Sequence, residues 1–251
     1  MFGLNDSNGE EYTILMQKVS RKICLLGATG NTGSHFLHPA LQTGWEVKAF
    51  LRTPSKVEDA EGLTKFKGDL SNATDIWSAI EGTDVVVCLA GVPRGTKPGS
   101  NMDGMMRVAI EHIVDAMESH AIRRLIFQVG GFTRLEGEPQ IGCFASCFIR
   151  DFILGYCLGE TVSLKENQLI AEFLESRKAT IDWTLTRPGI LVNKESLGTV
   201  VGSDQGSGET CTFVDLAAWE VQLIEDTSAI HKGPFPVYDR KNLAANPTAS
   251  A

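Results

Sequence analysis

Several absences narrow this sequence before any motif is read. It lacks a basic surplus: 23 lysines and arginines face 31 acids, a net charge of −8. An acidic surface repels a phosphate backbone, so no nucleic-acid partner is expected, although a local basic pocket stays open. It lacks an uninterrupted apolar run of bilayer length. The nearest approach, Gly142 to Leu158, is broken by Arg150 and Asp151, and no membrane partner is expected. Residues 1–20 lack the basic start and long apolar core of a secretory signal and read as a disordered extension. The six cysteines, at 24, 88, 143, 147, 157 and 211, show neither a C-x-x-C redox pair nor the spacing of a zinc site. Several lie inside apolar runs, as buried reduced thiols do, which points to a reducing, cytoplasmic setting. His35, His38, His112, His120 and His231 have no acidic or cysteine companion at ligand spacing, and no metal is expected.

The most informative stretch is Lys22 to Gly33, KICLLGATGNTG. A short apolar run, Ile23 to Leu26, reads as a buried parallel strand, and an amphipathic segment, Ser34 to Leu41, reads as a helix. Between them Gly27, Thr29, Gly30, Asn31, Thr32 and Gly33 form a turn suited to a dinucleotide pyrophosphate. The first glycine permits the tight turn, the second admits phosphate to the backbone amides, and the third lets helix and strand pack closely. The spacing is G-x-x-G-x-x-G, not the G-x-G-x-x-G of ordinary dehydrogenases. A second strand, Glu46 to Leu51, ends at Arg52 with no acid to take the adenosine ribose. An arginine there, with Thr53, Ser55 and Lys56 nearby, suits the 2′-phosphate of NADP(H).

GATGNTG, with an arginine closing the next strand, resembles the extended and atypical short-chain dehydrogenase/reductase superfamily. Its NmrA-like and biliverdin reductase B (flavin reductase)-like branch is the most similar. The likeness runs from about Lys22 to about Tyr238 and is more specific in the N-terminal half. It implies that Asp69, with Leu70, lies beside the adenine, although Asp69 or Ser71 could also cap the helix Asn72 to Ile80. It also implies that Leu89, Ala90 and Gly91, ending the apolar strand Asp84 to Leu89, pass under the nicotinamide ribose, and that Arg187-Pro188-Gly189 closes the sixth strand, Ile181 to Arg187, beside the cofactor.

The remaining elements follow from periodicity. Leu63 to Lys67 and Arg124 to Val129 read as strands, and Met102 to Ser119 as a helix with Met105 and Met106 in its core stripe. The loop Val92 to Asn101 lies at the rim of a substrate crevice, with Arg94 and Lys97 read first as solvated cations. Phe144, Phe148, Phe152 and Tyr156 recur every four residues. They read as a core stripe, with lining of a substrate pocket as the other option; Phe132, Phe144 and Phe148 are the candidate substrate contacts. Leu191 to Cys211 reads as a mobile loop or hairpin, Thr212 to Glu225 as a helix capped by Asp215, and Phe235 to Tyr238 as a last strand.

The sequence departs from the resembled family twice. A serine is implied at the end of the fifth strand, where Gly130 and Gly131 stand, between Gln128 and Thr133. A Tyr-x-x-x-Lys pair is implied on the next helix, its lysine holding the ribose. Lys165 has Thr161 four positions earlier, whereas a register taken from Glu172 puts Gln168 and Leu164 in the two places. Lys165 and Gln168 share a helix face, so either could reach the ribose. Tyr156 fits neither register unless the helix breaks at Gly159.

The expectation is therefore an α/β chain of Rossmann type, doubly wound on a mainly parallel sheet. Residues 21–240 form one domain, with a small substrate cap from about 189, and residues 241–251 are a flexible tail. The resemblance implies NADPH-dependent hydride transfer to a flat conjugated small molecule such as a flavin, tetrapyrrole or quinone. An NADP(H)-binding sensor, or a redox-neutral isomerase or cyclase, are the alternatives, in a monomer or homodimer.

Overall fold

A computed structural model describes residues 21–93, 95–138, 159–206 and 208–240. The expectations for residues 1–20, 142–158 and 241–251 lie outside them, and with these Phe144, Phe148, Phe152, Tyr156 and Arg94.

Six strands form one parallel sheet: β1 (Lys22–Leu26), β2 (Glu46–Leu51), β3 (Leu63–Lys67), β4 (Val85–Cys88), β5 (Arg124–Gln128) and β6 (Asp182–Thr186). Their order is β3-β2-β1-β4-β5-β6, so the winding direction reverses between β1 and β4. A crevice opens at the carboxyl ends of the strands on either side of such a reversal.

Burial on both faces explains the nearly continuous apolar strands. Cys24 and Leu26 pack into one core with α2 (Ala73–Ile80), α3 (Met105–Ser119) and α4 (Thr161–Glu175). Ile23 and Leu25 pack into the other, with α1 (Asn31–Gln42) and α5 (Phe213–Leu223). Among the described residues, no helix is long and apolar enough to cross a membrane.

The C-terminal part differs from its expectation. Leu191 to Cys211 is no hairpin: β7 (Ile190–Val192) pairs parallel with β9 (Thr210–Thr212), and β8 (Val200–Ser203) pairs antiparallel with β10 (Phe235–Tyr238). Strands this short with glycine between them carry little local signal, and their partners are distant in sequence. The chain also returns to the main sheet just before β10. His231 N donates to Trp183 O at 2.7 Å and Leu185 N to Lys232 O at 3.0 Å, which lays this segment along β6.

Helix caps needed correction as well. Asn72, not Asp69 or Ser71, caps α2, accepting from Thr74 N at 2.9 Å. Thr212 caps α5 through Asp215 N at 3.1 Å, while Asp215 sits one turn inside as the acidic member of the motif. The Asp215 carboxylate then ties three segments together, accepting from Leu197 N at 2.8 Å, Thr212 Oγ1 at 2.7 Å and Tyr238 OH at 2.8 Å.

Candidate cofactor and substrate site

The glycine turn is fixed by contact. Gly27 adopts φ +94°, a region unfavourable to other residues, and its carbonyl accepts from Gly30 N at 2.9 Å. A Cβ on Gly27 would lie 2.5 Å from Ala90 N, and one on Gly33 only 2.1 Å from Gly27 O. The loop thus rests on the end of β4 and α1 rests on the loop. Gly30 caps α1 without a side chain, and no acid occupies the first turn. The first amides and the positive end of the helix dipole are left for an anion.

Above this turn lies a crevice of about 300 Å³, lined by Gly27, Thr29, Gly30, Arg52, Asp69, Leu70, Leu89, Ala90 and Gly91 together with four further residues. Asn31 is exposed on the first turn of α1, and Thr32 and Gly33 are buried beneath it. Arg52 is exposed and its guanidinium takes no hydrogen bond among the described residues. Asp69 stands close enough to feel that charge. Its carboxyl is held below the ordinary range first by the Ser71 amide and hydroxyl, at 2.9 and 2.7 Å, and then by Arg52.

The four further lining residues are Phe50, Met102, Met105 and Pro93, the last from the loop expected at the crevice rim. Met106 is core, as its periodicity indicates, but the half-buried Met105 turns toward the crevice. Helical periodicity identifies a face that leaves water; it does not say whether protein or ligand covers that face. The available signal was position, since both methionines follow a loop at the carboxyl edge.

At the ends of β5 and β6 the neighbours explain the glycines. A Cβ on Gly131 would lie 3.0 Å from Pro188 O, and one on Gly130 would lie 3.1 Å from Asn167 Nδ2. Pro188 is buried at the end of β6, and Phe132 is half-buried in the turn after β5. Helix α4 then divides its residues among three tasks. Lys165 is exposed. Gln168 brackets the backbone of Arg134, accepting from its amide at 3.0 Å and donating to its carbonyl at 3.2 Å. It lines a separate hollow with Arg134, Glu136 and Glu172, and neither it nor Lys165 lines the glycine crevice. Glu166, unremarked in the sequence, is buried and caps α3, accepting from Gly104 N at 2.7 Å, Met106 N at 2.8 Å and Arg107 N at 3.2 Å.

Two further buried groups support this end. Arg187, 2% exposed, makes a two-pronged pair with Glu138, both contacts at 2.7 Å. It also donates to Thr133 O at 3.1 Å and to Gly233 O, and stacks on Phe235 at 4.0 Å. Burial alone would raise the Glu138 carboxyl, but the hydrogen bonds of Arg187 and Leu135 hold it below its ordinary value. On α5, Glu220 is fully buried. Its Oε1 accepts from Thr186 Oγ1 at 2.6 Å while Oε2 finds no partner among the described residues. Burial pushes this carboxyl up to about 8, against the opposing pull of Thr186.

A parallel sheet of this order, with a glycine turn and an uncapped helix at its reversal, defines a dinucleotide-binding Rossmann protein. The chain belongs to the NAD(P)H-binding family, which it matches over residues 27–227. It is 26% identical over 191 residues to an uncharacterised chloroplastic protein of Arabidopsis thaliana, covering 72% of this chain and 63% of that protein. It is also 26% identical over 121 residues to the anthocyanidin reductase of Arabidopsis thaliana, covering 43% of this chain and 35% of that protein. The chain therefore spans less than two thirds of either relative. Among solved structures, ChuY, an anaerobilin reductase from Escherichia coli O157:H7, superposes with a TM-score of 0.68 at 18% identity, covering 87% of this chain and 98% of that one. The oxidoreductase ylbE from Lactococcus lactis gives a TM-score of 0.67 at 17% identity, covering 90% and 97%. These two likenesses establish the fold.

The residues present fit NAD(P)H. The glycines let the turn and α1 pack directly on the end of β4, and the uncapped first amides of α1 would supply hydrogen bonds to a pyrophosphate. Among the described residues no three or more histidine, cysteine or acidic side chains converge as a metal site would need.

Proposed function

We propose that this chain is an NADPH-dependent reductase that transfers hydride to a flat, conjugated small-molecule acceptor, such as a flavin, tetrapyrrole or quinone. The observation that carries the reading is a contrast along the carboxyl edge of the sheet. A dinucleotide cradle at β1 and β4 is followed along the sheet by Gly130 and Gly131 where the resembled family has a serine, and by Thr161 or Leu164, according to register, where it has a tyrosine. When bound, the nicotinamide supplies two electrons and a hydrogen as hydride. The glycine turn and α1 hold the phosphates, Arg52 pairs with the 2′-phosphate and selects NADPH over NADH, and Asp69 accepts from the adenine amine. Pro188 and the Leu89 to Gly91 turn close on the nicotinamide side. Without a side-chain acid at the strand end, the proton comes from water, which suits an acceptor whose conjugation spreads the incoming charge.

Residues 21–240 act as one domain, with the segment from about 189 as the substrate cap. Phe132 is a contact for the acceptor, with Phe144 and Phe148, outside the described residues, as the other two candidates. We place the protein in the cytoplasm as a monomer or homodimer, with a small-molecule substrate and neither nucleic acid nor membrane as partner. The reductase names borne by the anthocyanidin and anaerobilin enzymes support an extended ring acceptor without identifying it. The test is NADPH oxidation by purified protein against flavins, quinones and tetrapyrroles, with NADH in parallel. Turnover with NADPH and little with NADH supports the proposal. Tight NADPH binding without turnover moves the reading to a sensor, which the same missing serine and tyrosine also favour. Product formation without NADPH consumption indicates a redox-neutral isomerase or cyclase.

A further inference from the structure

We infer that Met102 and Met105 form an oxidation site in the dinucleotide crevice, where a peroxide converts thioether to sulfoxide and so weakens cofactor binding. The inference rests on the crevice holding NADPH and not on the identity of any acceptor. Both methionines line the crevice and are half-buried. They stand three residues apart, joined by the bond from Met105 N to Met102 O at 3.4 Å. With Phe50, Leu70 and Pro93 they make an apolar part of the lining beside the glycine turn. Met106 and Met117, by contrast, are 2% and 0% exposed in the core. An oxidant that enters the crevice therefore meets the first pair of methionines and not the second.

In the reaction a sulfur lone pair attacks one peroxide oxygen, and the S–O bond forms as the O–O bond breaks. The departing hydroxide takes up the remaining proton and leaves as water. Sulfur loses two electrons and the peroxide gains them. The product is a polar side chain where an apolar one stood. Its oxygen needs a donor, and the backbone amides of residues 103 to 108 are all spent. Glu166 takes those of Gly104, Met106 and Arg107 at 2.7, 2.8 and 3.2 Å. Asp103 N donates to Ser100 O at 3.0 Å, Met105 N to Met102 O, and Val108 N to Gly104 O at 3.1 Å. The sulfoxide is then solvated through the open crevice, in the space that the dinucleotide fills. Binding strips that water from an oxygen with no other partner, which is costly. Bound dinucleotide, in turn, covers both sulfurs and slows their oxidation.

The test treats the full chain with hydrogen peroxide, with and without saturating NADP+, and then removes the oxidant with catalase. Sulfoxide is mapped by peptide mass spectrometry and NADPH affinity is read by fluorescence titration. The expected result is sulfoxide at Met102 and Met105 before Met106 and Met117, slowed by NADP+, with a loss of roughly tenfold in NADPH affinity. A methionine sulfoxide reductase should restore the affinity of treated wild type. The double variant Met102→Leu, Met105→Leu keeps side-chain volume but offers no sulfur there. Whatever its starting affinity, it should lose none on treatment, which separates these methionines from the cysteines. Four results overturn the inference: one oxidation rate at all four methionines, no protection by NADP+, unchanged affinity after both crevice methionines are oxidised, or an equal loss in the double variant. If untreated wild type binds no NADPH, the dinucleotide reading fails and the inference with it. Any of the four results in a protein that binds NADPH overturns the inference alone.

Discussion

Two stretches of the sheet's carboxyl edge are built in opposite ways. At the β1–β4 end, recognition rests on backbone, and the side chains that matter are those that must be absent. A single added carbon at Gly27 or Gly33 would overlap main-chain atoms. At the β5–β6 end, position is held by buried polar side chains reaching across long sequence distances: Arg187 to Glu138, Glu166 to the start of α3, Thr186 to Glu220. A cradle made of backbone tolerates little change and serves a ligand of constant shape. An end made of side-chain clamps can change its contact residues while the clamps hold, as a variable substrate requires.

The sharpest way to break the contrast is at the cradle. Gly33→Val should lower NADPH affinity by at least about 100-fold in a fluorescence titration, since α1 must leave the turn to make room. At the clamped end, Arg187→Met should cost stability first, about 2–4 kcal/mol in denaturant unfolding, because Glu138 loses both contacts of its ion pair and keeps only the Leu135 amide. NADPH affinity in that variant should change far less than in the glycine variant.

Glu220 gives a pH-dependent version of the same test. Burial keeps its proton in the folded chain up to about 8, whereas an unfolded glutamate releases it near 4.3. Between those values the folded state binds more protons than the unfolded. The contribution of this group is therefore full below about pH 4.3 and is lost as pH rises toward about 8. Glu220→Gln should remove this slope and stabilise the protein at pH 9 by about 1–3 kcal/mol, with little gain at pH 4, as followed by thermal unfolding. Arg52→Ala should weaken NADPH binding by about tenfold and leave NADH unchanged, as expected for one exposed guanidinium–phosphate pair. The smallest effect belongs to Lys165→Ala. An exposed lysine outside the crevice lining should alter NADPH affinity by less than about twofold.

The contrast also accounts for what could be read from the sequence. The β2 and β3 bounds and the glycine turn were legible because each depends on local pattern or spacing, whereas Asp69, Leu70 and Leu89 to Gly91 came from the family resemblance. Strand alternation, glycine position and the residue after a strand are all written in consecutive positions. Pairing of β7 with β9 and of β8 with β10, by contrast, depends on contacts between short, distant segments. Glu166, Arg187 and Glu220 carry no local signature either, since a buried charged residue looks like a surface one until its partner is known.

The most direct test of the central claim uses NADPH deuterated at C4, with the two stereoisomers tried separately against the best acceptor found. The account predicts that one isomer, and not the other, delivers deuterium to the reduced acceptor, with slower turnover for that isomer. Deuterium that stays on the cofactor with both isomers, while the protein still binds NADPH and forms product, would contradict hydride transfer and with it the reductase account.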